Sequence, residues 1–191
     1  MQIRLTPTLA LLALVFASQF ALADDYTDAR EVFQNAGESG TFFSNSYAYA
    51  LFPSIGKGGI GIGGAHGNGK VFVGGAEVGK TSMTQLSIGF QLGGQVYSQI
   101  IFFQDKRAFD DFTSGNFEFS ADASAVAITA AASAQSSTAG GSSAGASGGK
   151  NDADTVSHGY SKGMAVFTVA KGGLMYQAAL GGQKYEFKPD N

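Results

Sequence analysis

The chain contains no cysteine, which excludes disulfide stapling, thiol nucleophiles and thiolate metal sites together. Cations are also scarce: 12 Lys and Arg stand against 15 Asp and Glu, for a net charge of −3. Phosphate backbones are bound by clustered Lys and Arg, so nucleic acid is not expected as a partner. Histidine occurs only at His66 and His158, far apart and without an acid or nucleophile at fixed spacing. Neither a general base nor a metal-ligand set is recognisable, and no catalytic residue, metal or cofactor is assigned. Beyond the N-terminus there is no apolar run long enough to span a bilayer, so any membrane contact would be peripheral.

What is present begins with an export signal. Arg4 supplies a positive start, Leu9 to Ala17 is a short apolar run, and Ala21-Leu22-Ala23 is a small-x-small cleavage site followed by Asp24-Asp25. Residues 1–23 are therefore expected to be a signal peptide and residues 24–191 a single periplasmic domain. Without a lipobox cysteine the mature chain is expected to be released as a soluble species.

Along that domain, Tyr26, Ala29, Phe33 and Ala36 recur at helical spacing over residues 24–38, with Gly37 as terminator. Residues 42–52 fit either a helix or a strand, and Pro53 is expected to end it. From Gly58 the pattern turns to period two, with Gly59, Gly61 and Gly63 facing one way and Ile60 and Ile62 the other. Gly67-Asn68-Gly69 before Val71 predicts a hairpin turn. Strand patterns follow over Leu86 to Leu92 and Val96 to Phe103. Asp105 to Phe112 predicts a helix capped by Asp105 and stopped at Gly115. Phe117 and Phe119 alternate as in a short strand, and Ala121 to Ala132 fits either state. Further strands are expected at Met164 to Val169, Gly173 to Leu180 and Gln183 to Phe187. Residues 133–157, mostly Ala, Ser and Gly, read as a mobile loop. The sum is an α+β fold: a strongly curved, mostly antiparallel, glycine-rich and barrel-like sheet packed with two or three short helices.

Two nucleotide motifs occur, and their contexts contradict both. Gly74 to Thr81 satisfies the phosphate-loop pattern G-x-x-x-x-G-K-[ST], but a helix must start at its Lys-Thr, and here the sequence alternates as a strand. Gly59-x-Gly61-x-x-Gly64 matches the dinucleotide fingerprint and likewise opens no helix. No nucleotide is expected. Two lysines stand among glycines, in Gly56-Lys57-Gly58-Gly59 and Ala170-Lys171-Gly172-Gly173. A lysine beside exposed glycine amides can cradle an anionic head group, so Lys57, Gly58, Gly59, Lys171, Gly172 and Gly173 form the candidate head-group site. Phe42, Phe43 and Phe52 are the candidate apolar contacts. Leu92-Gly93-Gly94-Gln95-Val96-Tyr97 and Leu180-Gly181-Gly182-Gln183-Lys184-Tyr185 echo each other, as recurring hairpin chemistry without a clean duplication.

Four segments occur together in an order that resembles the SYLF family. They are Phe52 to Gly59 (FPSIGKGG), Ser87 to Ser98 (SIGFQLGGQVYS), Ala108 to Phe112 (AFDDF) and Ala170 to Leu174 (AKGGL). The resemblance covers roughly residues 26–189 and implies lipid recognition. Eukaryotic relatives bind phosphoinositides, assisted by an amphipathic N-terminal segment, and yeast relatives also bind actin filaments. Bacterial members are exported. What the resemblance implies here is a non-enzymatic module for an anionic phospholipid or similar amphiphile at the cell envelope. The alternative is an envelope structural factor with a protein partner. The acidic N-terminal helix departs from the family pattern.

Overall fold

The computed structural model describes residues 25–60, 62–88, 94–120, 123, 126–128, 159–171 and 180–190. The helical spacing of Ala29, Phe33 and Ala36 becomes one buried stripe on helix α1, residues 25–35. Gly37 does not terminate that segment. The chain breaks at Ala36, and two single turns follow, α2 (Gly37–Gly40) and α3 (Phe42–Asn45). Ser39 bonds back to the Phe33 carbonyl at 2.6 Å, which satisfies a backbone acceptor freed at the end of α1.

Strand β1 (Ala48–Ile60) then runs through Pro53 instead of ending there. The register to both neighbouring strands shifts around that residue, so Pro53 sits in a bulge where no ladder N–H is demanded of it. Its carbonyl accepts the Ser98 hydroxyl at 2.7 Å. The bulge also resets the side-chain parity, since Phe52 and Ile55, three residues apart, both enter the same core. The period-two run read from Gly58 onward is in fact two strands. β1 meets β2 (Ile62–Val73) with Ile60 opposite Ile62 and Gly59 opposite Gly63.

The hairpin expected at Gly67-Asn68-Gly69 is absent, and β2 passes straight through. The reversal comes at Gly74-Gly75, where φ values of +57° and +85° suit a tight two-residue turn into β3 (Ala76–Ile88). Gly67 and Gly69 serve packing instead. A Cβ at Gly67 would lie 2.5 Å from Ile55 Cγ1, and one at Gly69 would lie 2.7 Å from the Phe52 ring. Lys80 and Thr81 of the phosphate-loop pattern are strand residues, and no helix follows them.

After β4 (Gln95–Phe103), helix α4 (Lys106–Thr113) starts where Asp105 accepts the Ala108 amide at 2.9 Å. Short strand β5 (Phe117–Glu118), β6 (Val126–Ile128), β7 (Met164–Lys171) and β8 (Gln183–Pro189) complete one sheet, in the order β5-β8-β3-β2-β1-β4-β7-β6. Every described pairing is antiparallel except β6 with β7. The expected signal peptide, the mobile loop, most of Ala121 to Ala132, the strand over Gly173 to Leu180 except Leu180, and residues 89–92 of the strand expected over Leu86 to Leu92 lie outside the described residues.

Side-chain contacts across the sheet show how strongly it curls. β4 and β8 are four positions apart, roughly 19 Å in a flat sheet. Yet Gln99 of β4 donates to the Tyr185 hydroxyl of β8 at 2.7 Å, and Phe52 of β1 meets the Tyr185 ring at 5.6 Å. The sheet therefore folds round a concave core, closed at one side by Ala108 and Phe112 of α4. A second core lies on the convex face, where Phe33 of α1 and Phe42 and Phe43 of α3 cover Tyr49, Phe102 and Phe167. The fold is α+β, as the patterning implied.

Candidate functional site

Two places in this frame gather polar groups or glycines. The first is inside the curl. Gln99, Gln183 and Tyr185 are fully buried there among aromatic side chains. Gln99 Nε2 donates to Tyr185 Oη and, at 3.2 Å, to Gln183 Oε1, which also accepts the Tyr185 hydroxyl at 2.5 Å. Gln183 Nε2 reaches Tyr97 Oη at 3.4 Å. Gln99 Oε1, Thr168 Oγ1 directly opposite it on β7, and Thr81 Oγ1 are buried with no hydrogen-bond partner among the described residues. Buried polar groups are usually paired, so this cluster gives the concave core a polar centre. It holds no carboxylate, imidazole or thiol, and its chemistry is hydrogen bonding rather than proton transfer.

Burial pushes the Tyr97 hydroxyl up to about 12, against a small opposing effect of its bond to Gln183. Burial likewise holds the Tyr185 hydroxyl well above the usual tyrosine range. A raised tyrosine keeps its stabilising contribution below the unfolded value of 10. It loses that contribution as pH climbs toward the folded value, because only the unfolded chain sheds the proton in between. Stability is therefore expected to be flat across neutral pH and to fall between pH 10 and about 12. Denaturant titrations at stepped pH, with tyrosinate absorbance near 295 nm as a second signal, check this directly. Tyr97 and Tyr185 should ionise only as the fold opens.

The second place is the glycine-rich end of the sheet. Lys57 stands opposite Gln95, and Lys171 opposite Val96, so the two lysines flank β4 at one end of the sheet. Both are strand residues rather than turn residues, and they face opposite ways. Lys57 shares the concave side with Ile55 and Tyr97, whereas Lys171 shares the convex side with Val96 and Val169. Gly58 and Gly59 close the same end opposite Gly64 and Gly63, and a side chain at Gly56 or Gly58 would meet open space. Gly172 and Gly173 lie outside the described residues. Leu86, opposite Gly64, is 85% exposed, and Val96 is 41% exposed.

The three candidate phenylalanines are not at this end. Phe52 is fully buried in the concave core, over Gly69 and against Tyr185. Phe42 and Phe43 are half-buried in the convex aromatic cluster, with rings 5.4 and 5.0 Å from Phe102. Sequence reasoning missed the interior quartet of Tyr97, Gln99, Gln183 and Tyr185, although the repeated L-G-G-Q-x-Y echo carried a signal for three of its members. Both echoes place their tyrosine, Tyr97 and Tyr185, on the concave side.

The strongly curled sheet, with its polar centre and glycine-rich end, belongs to a family of binding domains. Residues 84–186, more than half of the chain, match the family described as Ysc84, Las17-binding protein actin regulator. The chain belongs to this family, the SYLF group that its ordered motifs resemble. It is also similar to Beta cell expansion factor A of Aeromonas veronii, with 28% identity over 99 residues. That stretch is 52% of this chain and 30% of the relative, so less than a third of the relative's length is shared. The family match contains the whole interior quartet and Lys171, whereas Lys57, Phe42, Phe43 and Phe52 lie before it. Among the described residues no helix is long and apolar enough to cross a membrane.

Proposed function

We propose that the protein is an exported, non-enzymatic lipid-binding module that recognises an anionic phospholipid or similar amphiphile at the cell envelope. The observation that carries this reading is the convergence at the glycine-rich end. Exposed Leu86 and Val96, the lysines Lys57 and Lys171, and unobstructed glycines occupy one end of one sheet. Apolar groups beside cations match the two parts of a lipid–water boundary, where buried apolar area and attraction to anionic head groups add. Phe42, Phe43 and Phe52 support the fold that presents this end, and the lipid-facing apolar groups are Leu86 and Val96.

Lipid extraction and mass spectrometry of the protein, purified from its native envelope without detergent, tests the proposal. A defined anionic lipid at stoichiometric amount is the expected result. A lipid-free protein that co-purifies with a stoichiometric protein partner would count against it, and would favour the protein-binding role named in the family description.

A further inference from the structure

The outer face of β2, β3 and β8 carries an unusual row. Lys70 stands directly opposite Lys80, and Lys80 directly opposite Lys188, so three cations lie side by side across three strands. Directly opposed like charges destabilise an antiparallel sheet, so the fold carries this row at a cost. Only one of the three is compensated. Lys70 is bonded to Glu77 at 2.7 Å and lies 5.0 Å from the Tyr26 ring centre. Lys80 and Lys188 are exposed and form no ion pair among the described residues, and Glu186, two residues from Lys188, joins neither.

We infer that Lys80 and Lys188, with Lys70 beside them, hold the phosphates of an anionic bilayer against this outer sheet face. The inference rests on the lipid-binding reading above and adds the orientation in which the surface is met. Opposed residues on neighbouring strands sit about 5 Å apart at Cβ, close enough for one phosphate to reach two ammonium groups. A bilayer is favoured over a soluble polyanion by what shares this face. Leu86 points the same way as Lys80, Ser82 and Thr84 along β3, and places an almost fully exposed apolar side chain beyond the cations. The membrane would then lie along β3 instead of touching the glycine-rich end alone. Lys70, Lys80 and Lys188 all fall outside the stretch matched by the family model, so the row is argued from this chain's own sheet pairing.

The test compares Lys80→Ser/Lys188→Ser with the unchanged protein and with Lys57→Ser/Lys171→Ser, on vesicles of phosphatidylglycerol and phosphatidylcholine at low salt. A lysine near an anionic surface contributes about fivefold in affinity, so losing both is expected to weaken binding about 25-fold. The melting temperature should hold or rise, because a repulsive pair has been removed, and Lys80→Arg/Lys188→Arg should bind like the parent. If the serine pair binds within twofold of the parent, the row is not the contact while the lipid-binding reading stands. If the parent itself ignores these vesicles, both fall.

Discussion

Replacing Phe102 with Ala is expected to cost about 4 kcal/mol of stability, in the middle of the range for a buried aromatic. Phe102 is fully buried at the centre of the convex core, with Phe43 edge-on at 5.0 Å, Phe42 stacked at 5.4 Å, and Tyr49 and Phe167 each at 6.0 Å. Few of these neighbours can collapse into the void. Phe42 is itself pinned by Phe167 and Tyr160, and Tyr49 is stacked on Phe72. The loss falls where α1 and α3 meet the sheet, so the helices should loosen before the sheet does. Urea denaturation gives the total loss, and limited proteolysis should cut first within residues 25–45. A loss below 1 kcal/mol with unchanged proteolysis would mean that the N-terminal helices are held elsewhere.

Gly69→Val is expected to be comparably damaging for the opposite reason. Its Cβ alone would sit 2.7 Å from the Phe52 ring and 2.8 Å from the Leu51 carbonyl oxygen. Phe52 is fully buried against Tyr185, and the carbonyl belongs to the strand ladder, so neither can yield cheaply. Overpacking of this kind costs about 3 kcal/mol, and more when backbone must move. Gly56→Ala supplies the contrast. It sits in the same run of glycines with nothing within 4 Å of its added Cβ, and should change stability by less than about 0.5 kcal/mol. Thermal unfolding of the two variants separates packing glycines from open ones.

These two kinds of glycine explain where the sequence was and was not legible. The strands read at Val96 to Phe103, Met164 to Val169 and Gln183 to Phe187, the Asp105 cap and the Ala29-Phe33-Ala36 stripe follow from local patterning and local hydrogen bonding, and they appear in the structure as β4, β7, β8, the start of α4 and the buried face of α1. Gly67-Asn68-Gly69 carries the chemistry of a tight turn, yet its glycines exist because Phe52 and Ile55 of the neighbouring strand lie on them. That partner is set by the register of β1 on β2 and by the bulge at Pro53, and no local window contains either. The candidate site divides in the same way. Lys57 and Lys171 were visible as lysines among glycines, and the sheet does bring them to one end, but on opposite faces. The interior quartet needs the sheet to curl until β4 and β8 touch, and only the tertiary structure supplies that contact. The lysine row likewise exists only through pairing, because Lys70, Lys80 and Lys188 mean little until β2, β3 and β8 lie in register.

The central claim is that this fold presents a surface for anionic lipid. Flotation of the purified protein with phosphatidylglycerol-rich vesicles, in parallel with pure phosphatidylcholine vesicles and across a salt series, tests it most directly. Co-flotation with the anionic vesicles only is expected, weakening steeply as salt screens the lysines. Equal binding to both vesicle types, or none to either at low salt, would contradict it.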